Sequence, residues 1–124
     1  MAGVDPTEKL ARLAASRVPS ATVEVAGAET LPFDDNAFTV AWSISAYHHW
    51  PDPEEGLSEA FRVVEEGGRF IIAEGHKASP GGHGLDDSEV DQLVVRLTAV
   101  GFGEPMVSHH HAGRKRLVVV TAPA

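Results

Sequence analysis

The sequence predicts an α/β fold, a mainly parallel sheet flanked by helices with an antiparallel hairpin at its carboxyl end. Three observations carry this expectation. Helical apolar periods alternate with short apolar runs along the chain. Two of those runs, Phe70-Ile71-Ile72-Ala73 and Leu117-Val118-Val119-Val120, are apolar at every position, as central strands covered by helices on both faces are. The last two runs are joined across Ala112-Gly113-Arg114, which suits a hairpin.

The elements follow in order. Pro6 to Arg17 is predicted to be a helix, with Asp5 as its N-cap, Pro6 at the first helical position and Leu10, Leu13 and Ala14 on the buried face. Strands are expected over Thr22 to Ala26 and Thr39 to Ser45. Asp52, Pro53 and Glu55 repeat the helix-start device for Pro53 to Val64, which buries Leu57, Ala60, Phe61 and Val64 and stops at Gly67-Gly68. Arg69 to Glu74 is the next strand. Gly75 to Leu85, with its glycines and Pro80, is the one long loop, and it leaves a strand's carboxyl end, where open α/β sheets bind ligands. A third helix over Glu89 to Val100, capped by Ser88 or Asp87, places Val90, Leu93, Val94 and Leu97 on one stripe and ends at Gly101. Met106 to His111 and Leu117 to Thr121 form the closing hairpin.

A length of 124 residues suits a single domain, residues 1–124. Such a chain buries about two-thirds of its unfolded surface, enough for one core. With no cysteine, thiol nucleophiles, disulfides and Cys-ligated metals are excluded. The net charge of −8 argues against nucleic acid as the main partner, because only Arg114, Lys115 and Arg116 cluster. Met1 to Glu8 has no basic or apolar leader pattern, and the apolar runs are too short to span a bilayer. No membrane association is expected, and a soluble, cytoplasmic protein is.

Four stretches, taken together, carry a likeness. Gly3-Val4-Asp5-Pro6, Ala28-Glu29-Thr30-Leu31-Pro32-Phe33, Tyr47-His48-His49-Trp50-Pro51-Asp52 and Arg62-Val63-Val64-Glu65-Glu66-Gly67-Gly68-Arg69-Phe70 occur in the order and spacing of one family. The chain resembles the class I S-adenosylmethionine-dependent methyltransferases, in the branch that includes ubiquinone and menaquinone biosynthesis methyltransferases. The resemblance implies a Rossmann-like sheet, S-adenosylmethionine as cofactor and a small-molecule acceptor. The matched part starts after the family's first strand, glycine-rich turn and helix, so these are expected to be missing from the fold. Gly81-Gly82-His83-Gly84 lies too late to be that turn. Without the turn the fold lacks a close backbone approach to ligand and a helix N-terminus for the methionine carboxylate. A homodimer is therefore the expected assembly, since two chains can hide the sheet edges that a lost strand exposes.

The resemblance also assigns site residues. Asp5 would accept hydrogen bonds from the ribose hydroxyls; read from its own neighbours, it is equally a helix cap. Gly27, Ala28 and Glu29 would lie along the adenine, with Gly27 offering only backbone, and Ser43 would face the cofactor. Leu31-Pro32-Phe33 also reads as a loop anchored by a buried Phe. Methyl transfer is an in-line displacement needing alignment and, for a protonated acceptor, a base. Tyr47, His48 and His49 are candidate catalytic residues by type and place; they read equally as ordinary loop residues before a helix. His76 is a second acceptor-side candidate. His109 and His111 share one face of a strand, but no third ligand accompanies them, so no metal is expected. Asp86-Asp87-Ser88-Glu89 suits a helix N-terminus. Two functions remain open: methyl transfer to a small-molecule acceptor, and a catalytically inactive remnant serving as a binding or assembly module.

Overall fold

The computed structural model describes residues 1–78 and 82–124. Its elements are β1 (Ala2–Asp5), α1 (Glu8–Arg17), β2 (Thr22–Val25), β3 (Phe38–Ile44), a 3-10 turn (Tyr47–His49), α2 (Pro53–Val63), β4 (Val64–Gly75), α3 (Asp87–Val100), β5 (Met106–Ala112) and β6 (Lys115–Pro123). The part of the predicted long loop at Ser79, Pro80 and Gly81 lies outside the described residues.

The strands form two sheets. One has β1 parallel to β2, and the other has the order β3-β4-β6-β5. In the second, β3 and β4 are parallel and β6 runs against both β4 and β5. The expected parallel strands and closing antiparallel hairpin are both present, giving a mixed sheet in which β6 is the reversed strand. The hairpin turns at Gly113-Arg114, where Ala112 pairs with Lys115. β4 and β6 are the inner strands, as expected, but the burial on both faces that their apolar runs predict is met on one face only.

Helices α2 and α3 cover one face of this sheet. Leu57, Ala60, Leu93 and Leu97 meet Phe70, Ile72, Val118, Val120 and Ala122 in the buried core, closed by Phe102, whose ring lies 5.0 Å from Phe61 and 5.9 Å from Phe70. The opposite face differs from expectation. Trp42, Ile71, Thr121 and Met106 form one cross-strand row, and Trp42 and Met106 are 56% and 73% exposed. Ile44 is exposed too. No described helix covers these residues, because the remaining long helix, α1, packs on the separate β1–β2 pair.

The same separation overturns the predicted face of α1. Leu10, Leu13 and Ala14 are exposed, and Ala11 is the buried residue. Nor does Asp5 cap this helix: Thr7 is the N-cap, and Asp5 ends β1, its carboxylate accepting the Thr7 N–H at 2.8 Å. By contrast Asp52 caps α2 as predicted, accepting the Glu55 N–H at 3.1 Å with Pro53 opening the helix. For α3 the cap is Asp86, one residue earlier than expected. Asp86 accepts the Glu89 N–H at 2.8 Å while Glu89 accepts the Asp86 N–H at 3.3 Å, a reciprocal capping box. α2 ends at Val63, before the glycines, because Val64 turns extended and enters β4 directly.

Candidate active site

Parallel strands end together, so whatever follows them shares one rim. β3 ends at Ile44, and residues 45–50 turn above it; β4 ends at Gly75, and His76 follows. β6 is reversed, which brings its first residues, Lys115 and Arg116, to the same rim. Together with His48, His49, Glu74, His83 and Leu117 they line a cleft of about 500 Å³. Ser45 lines it also and holds a left-handed backbone (φ 52), a conformation uncommon for residues with a side chain and often found at functional sites.

Glu74 organises the cleft. Its side chain is fully buried, and its Oε2 lies 2.7 Å from His48 Nδ1 while Oε1 accepts the His48 backbone N–H at 3.4 Å. A buried carboxylate requires such partners, since an unpaired one costs several kcal/mol. The pair holds the His48 ring with Nδ1–H donated to the carboxylate and Nε2 turned toward His83, at 3.3 Å from its Nδ1. His49 lies beside them, its ring tilted against that of His48 with the centroids 3.9 Å apart.

His83 reaches this point because the loop folds back along the end of β4. Leu85 donates to the Gly75 carbonyl at 2.8 Å and Lys77 to the Leu85 carbonyl at 3.0 Å. Gly84, between them, has φ +95 and sits so close that a Cβ would collide with the Gly75 carbonyl; glycine alone fits there. On the far side His76 Nε2 lies 2.7 Å from Asp87 Oδ1, and the His109 ring is 4.8 Å from that of His76.

Tyr47 is placed elsewhere. It is a core residue, 5% exposed, its hydroxyl accepting from Arg96 at 3.2 Å and its ring 5.2 Å edge-on from Trp50. Trp50 in turn lies over Gly56 of α2, where a Cβ would come within 2.6 Å of the indole. The two aromatics pin the turn that carries His48 and His49 onto α2. Ser43 points into the buried side of β3, and its hydroxyl has no hydrogen-bond partner among the described residues.

The predicted nucleoside residues lie around the ends of β1 and β2. Asp5 is half-buried, and one of its carboxylate oxygens is used by Thr7; the other is of the kind that accepts from a vicinal diol. Glu29 folds back over Gly27, so that a Cβ on Gly27 would meet its Oε2 at 2.6 Å, and its Oε1 accepts the Asp52 N–H at 3.3 Å. Ala28 packs toward Gly56. The Asp5 carboxylate is an acceptor of the kind that suits the ribose hydroxyls of S-adenosylmethionine. For the methionine end, the described residues offer no glycine turn running into a helix beside β1 or β3.

Sequence reasoning missed what holds the loop between β2 and β3. Arg62 donates to the carbonyls of Phe33 at 2.7 Å and Leu31 at 3.0 Å, and to Asp35 at 2.8 Å, while Glu59 pairs with Arg62 at 2.7 Å and accepts the Leu31 N–H at 2.8 Å. The hydrogen bond from Arg62 holds the Glu59 carboxyl below the usual glutamate range, and the same contacts push Arg62 up. The Glu-x-x-Arg spacing on α2 was the available signal, but nothing local says that it clamps a loop nearly thirty residues away.

Comparison with known proteins places these observations. A family model described as a methyltransferase domain matches residues 1–72. The chain is similar to the sarcosine/dimethylglycine N-methyltransferase of Halorhodospira halochloris, at 36% identity over 105 residues, covering 71% of this chain and 38% of that enzyme. It is also similar to the ubiquinone/menaquinone biosynthesis C-methyltransferase of Brucella canis, at 46% over 52 residues, covering 40% of this chain and 18% of that one. The chain thus spans well under half the length of these relatives. Among solved structures, an S-adenosylmethionine-dependent methyltransferase of Thermotoga maritima superposes with a TM-score of 0.75 at 24% identity, over 98% of this chain and 72% of that one; the likeness there is one of fold.

Proposed function

The chain belongs to the class I S-adenosylmethionine-dependent methyltransferases, and we propose that it acts in methyl transfer to a small-molecule acceptor, as a homodimer. S-adenosylmethionine is the family's cofactor; when bound it supplies a sulfonium methyl group, whose sulfur takes the S–CH₃ electron pair as the acceptor forms its new bond. Asp5 receives the ribose diol, and Gly27, Ala28 and Glu29 flank the adenine. Ser43 stays beneath the rim, its hydroxyl enclosed on the buried side of β3, and Tyr47 positions the histidine turn. His48 takes the acceptor's proton at Nε2, and His49 closes the rim beside it. The observation that carries this reading is the His48–Glu74 pair at 2.7 Å, since a buried carboxylate orients the ring and stabilises the imidazolium that forms.

The dimer rests on two features. β1 and β3 are each paired on one side only among the described strands, and the sheet face around Trp42 and Ile44 is bare. A monomer in light scattering at micromolar concentration would remove it. Cofactor binding is tested by isothermal titration of S-adenosylmethionine and S-adenosylhomocysteine into the chain. Micromolar binding that weakens about 10- to 100-fold in Asp5→Asn supports the ribose role, because one charge-assisted hydrogen bond is worth about 1.5–3 kcal/mol. No heat up to millimolar ligand favours the inactive binding module.

A further inference from the structure

The geometry points to a divalent transition-metal site, of the kind zinc occupies, formed by His48, His49 and His83. The three imidazoles bring ligand-capable nitrogens within 4.8 Å of one another. Two of them, His48 Nε2 and His83 Nδ1, are already 3.3 Å apart. Two nitrogens on a tetrahedral zinc, each at about 2.0–2.1 Å, stand about 3.3–3.4 Å from each other. No backbone movement is therefore needed for this pair to share an ion.

Glu74 is the independent sign. Metal-binding histidines commonly donate their other ring N–H to a carboxylate, which fixes the tautomer and raises the basicity of the ligating nitrogen. Here the fully buried Glu74 side chain meets His48 Nδ1 at 2.7 Å, which leaves Nε2 bare toward His49 and His83. Three neutral nitrogen donors suit a borderline ion such as zinc better than calcium or magnesium, which prefer oxygen. With three protein ligands on an open cleft, the fourth position faces solvent, the pattern of catalytic zinc sites. Lys115 and Arg116 line the same cleft and oppose a dication; the Glu74 carboxylate offsets them from below.

The site goes beyond the transfer reading and competes with it, because a metal on His48 Nε2 occupies the lone pair that would take the acceptor's proton. Its test is independent of methyl transfer. His109, His110 and His111 are exposed on β5 and could bind metal loosely, so the measurement is made in a His109→Gln, His110→Gln, His111→Gln background. Calorimetric titration with zinc is expected to give one ion per chain at micromolar affinity or tighter. Co²⁺ should give the intense visible absorption of tetrahedral coordination. His83→Gln, at an exposed position with little bearing on folding, should weaken binding at least tenfold, and Glu74→Gln should weaken it about 10- to 100-fold. Thermal unfolding without metal checks that each variant is folded. Absence of binding below millimolar zinc, or binding unchanged in His83→Gln, would overturn the site and leave a hydrogen-bonded cluster of tilted and edge-on histidines.

Discussion

The leucines of α1 and α2 offer a comparison in which sequence and structure disagree. By periodicity, Leu10 and Leu13 belong to a buried stripe as much as Leu57 does. In the structure Leu57 is 0% exposed, whereas Leu10 is 49% and Leu13 is 44% exposed. Changing leucine to alanine removes three methylene equivalents, which at about 0.8 kcal/mol each come to about 2.4 kcal/mol when fully buried. At Leu57 a cavity is left among Ala60, Phe70 and Leu93, and the total is expected to reach about 3–4 kcal/mol. At Leu10 or Leu13 about half the transfer term applies, no enclosed cavity forms, and the better helix propensity of alanine returns a little. The expected cost there is below about 1 kcal/mol. Urea unfolding followed by circular dichroism reads both. With a slope of about 1.5 kcal/mol/M, the midpoint falls by about 2 M for Leu57→Ala and by well under 1 M for Leu10→Ala and Leu13→Ala. Equal shifts would refute the reasoning, and they would mean that the α1 face is covered in solution. Equal shifts that disappear on dilution would assign the cover to a second copy.

Further expectations concern the caps and the clamp. Asp86→Ala removes the acceptor for the Glu89 N–H and half of the capping box; thermal unfolding should show a loss of about 1–2 kcal/mol. Gly101→Ala places a Cβ 2.8 Å from the Phe61 ring at φ +123, and unfolding should show a cost of about 1–3 kcal/mol from strain and overpacking. The Glu59 carboxyl is held below its ordinary range by Arg62, so it stabilises the fold above the ordinary glutamate value of about 4.3 and loses that contribution as the pH falls through its lower folded value. The stability gap between the native chain and Glu59→Gln should therefore be full at neutral pH and close on acidification, and a gap that widens toward low pH would contradict the clamp.

Much of this architecture was legible locally. Asp52-Pro53 and the stripe Val90, Leu93, Leu97 announce their helices because caps and helical period act within one or two turns. Leu117 to Val120 announces an inner strand, and Val118 and Val120 are buried beneath the helices, but the run itself carries no sign that Leu117 and Val119 stay partly exposed on the open face. The ends of β3 and β4 were likewise readable as the site's rim, since chain direction alone sets where parallel strands finish. The histidines at positions 48 and 49 could be singled out there by type.

Tertiary structure decided the rest. Whether an apolar stripe is buried depends on a partner surface, and α1 has only the β1–β2 pair, so Leu10 and Leu13 face outward while Ala11 goes in. Partners far apart in the chain carry no local pattern: Glu74 beneath His48, His83 beside it, and Arg62 across the loop of Leu31 and Phe33. Tyr47 and His48 are adjacent in sequence, yet one is buried in the core and the other opens on the cleft, because successive side chains of the turn above β3 leave in different directions. Apart from β1, which its local pattern did not announce, the sequence by itself determined the order and type of the helices and strands and the rim on which the chemistry sits. Only the fold decided which side chains meet there, because a hydrogen bond or a shared ion depends on distance in space and not on separation along the chain.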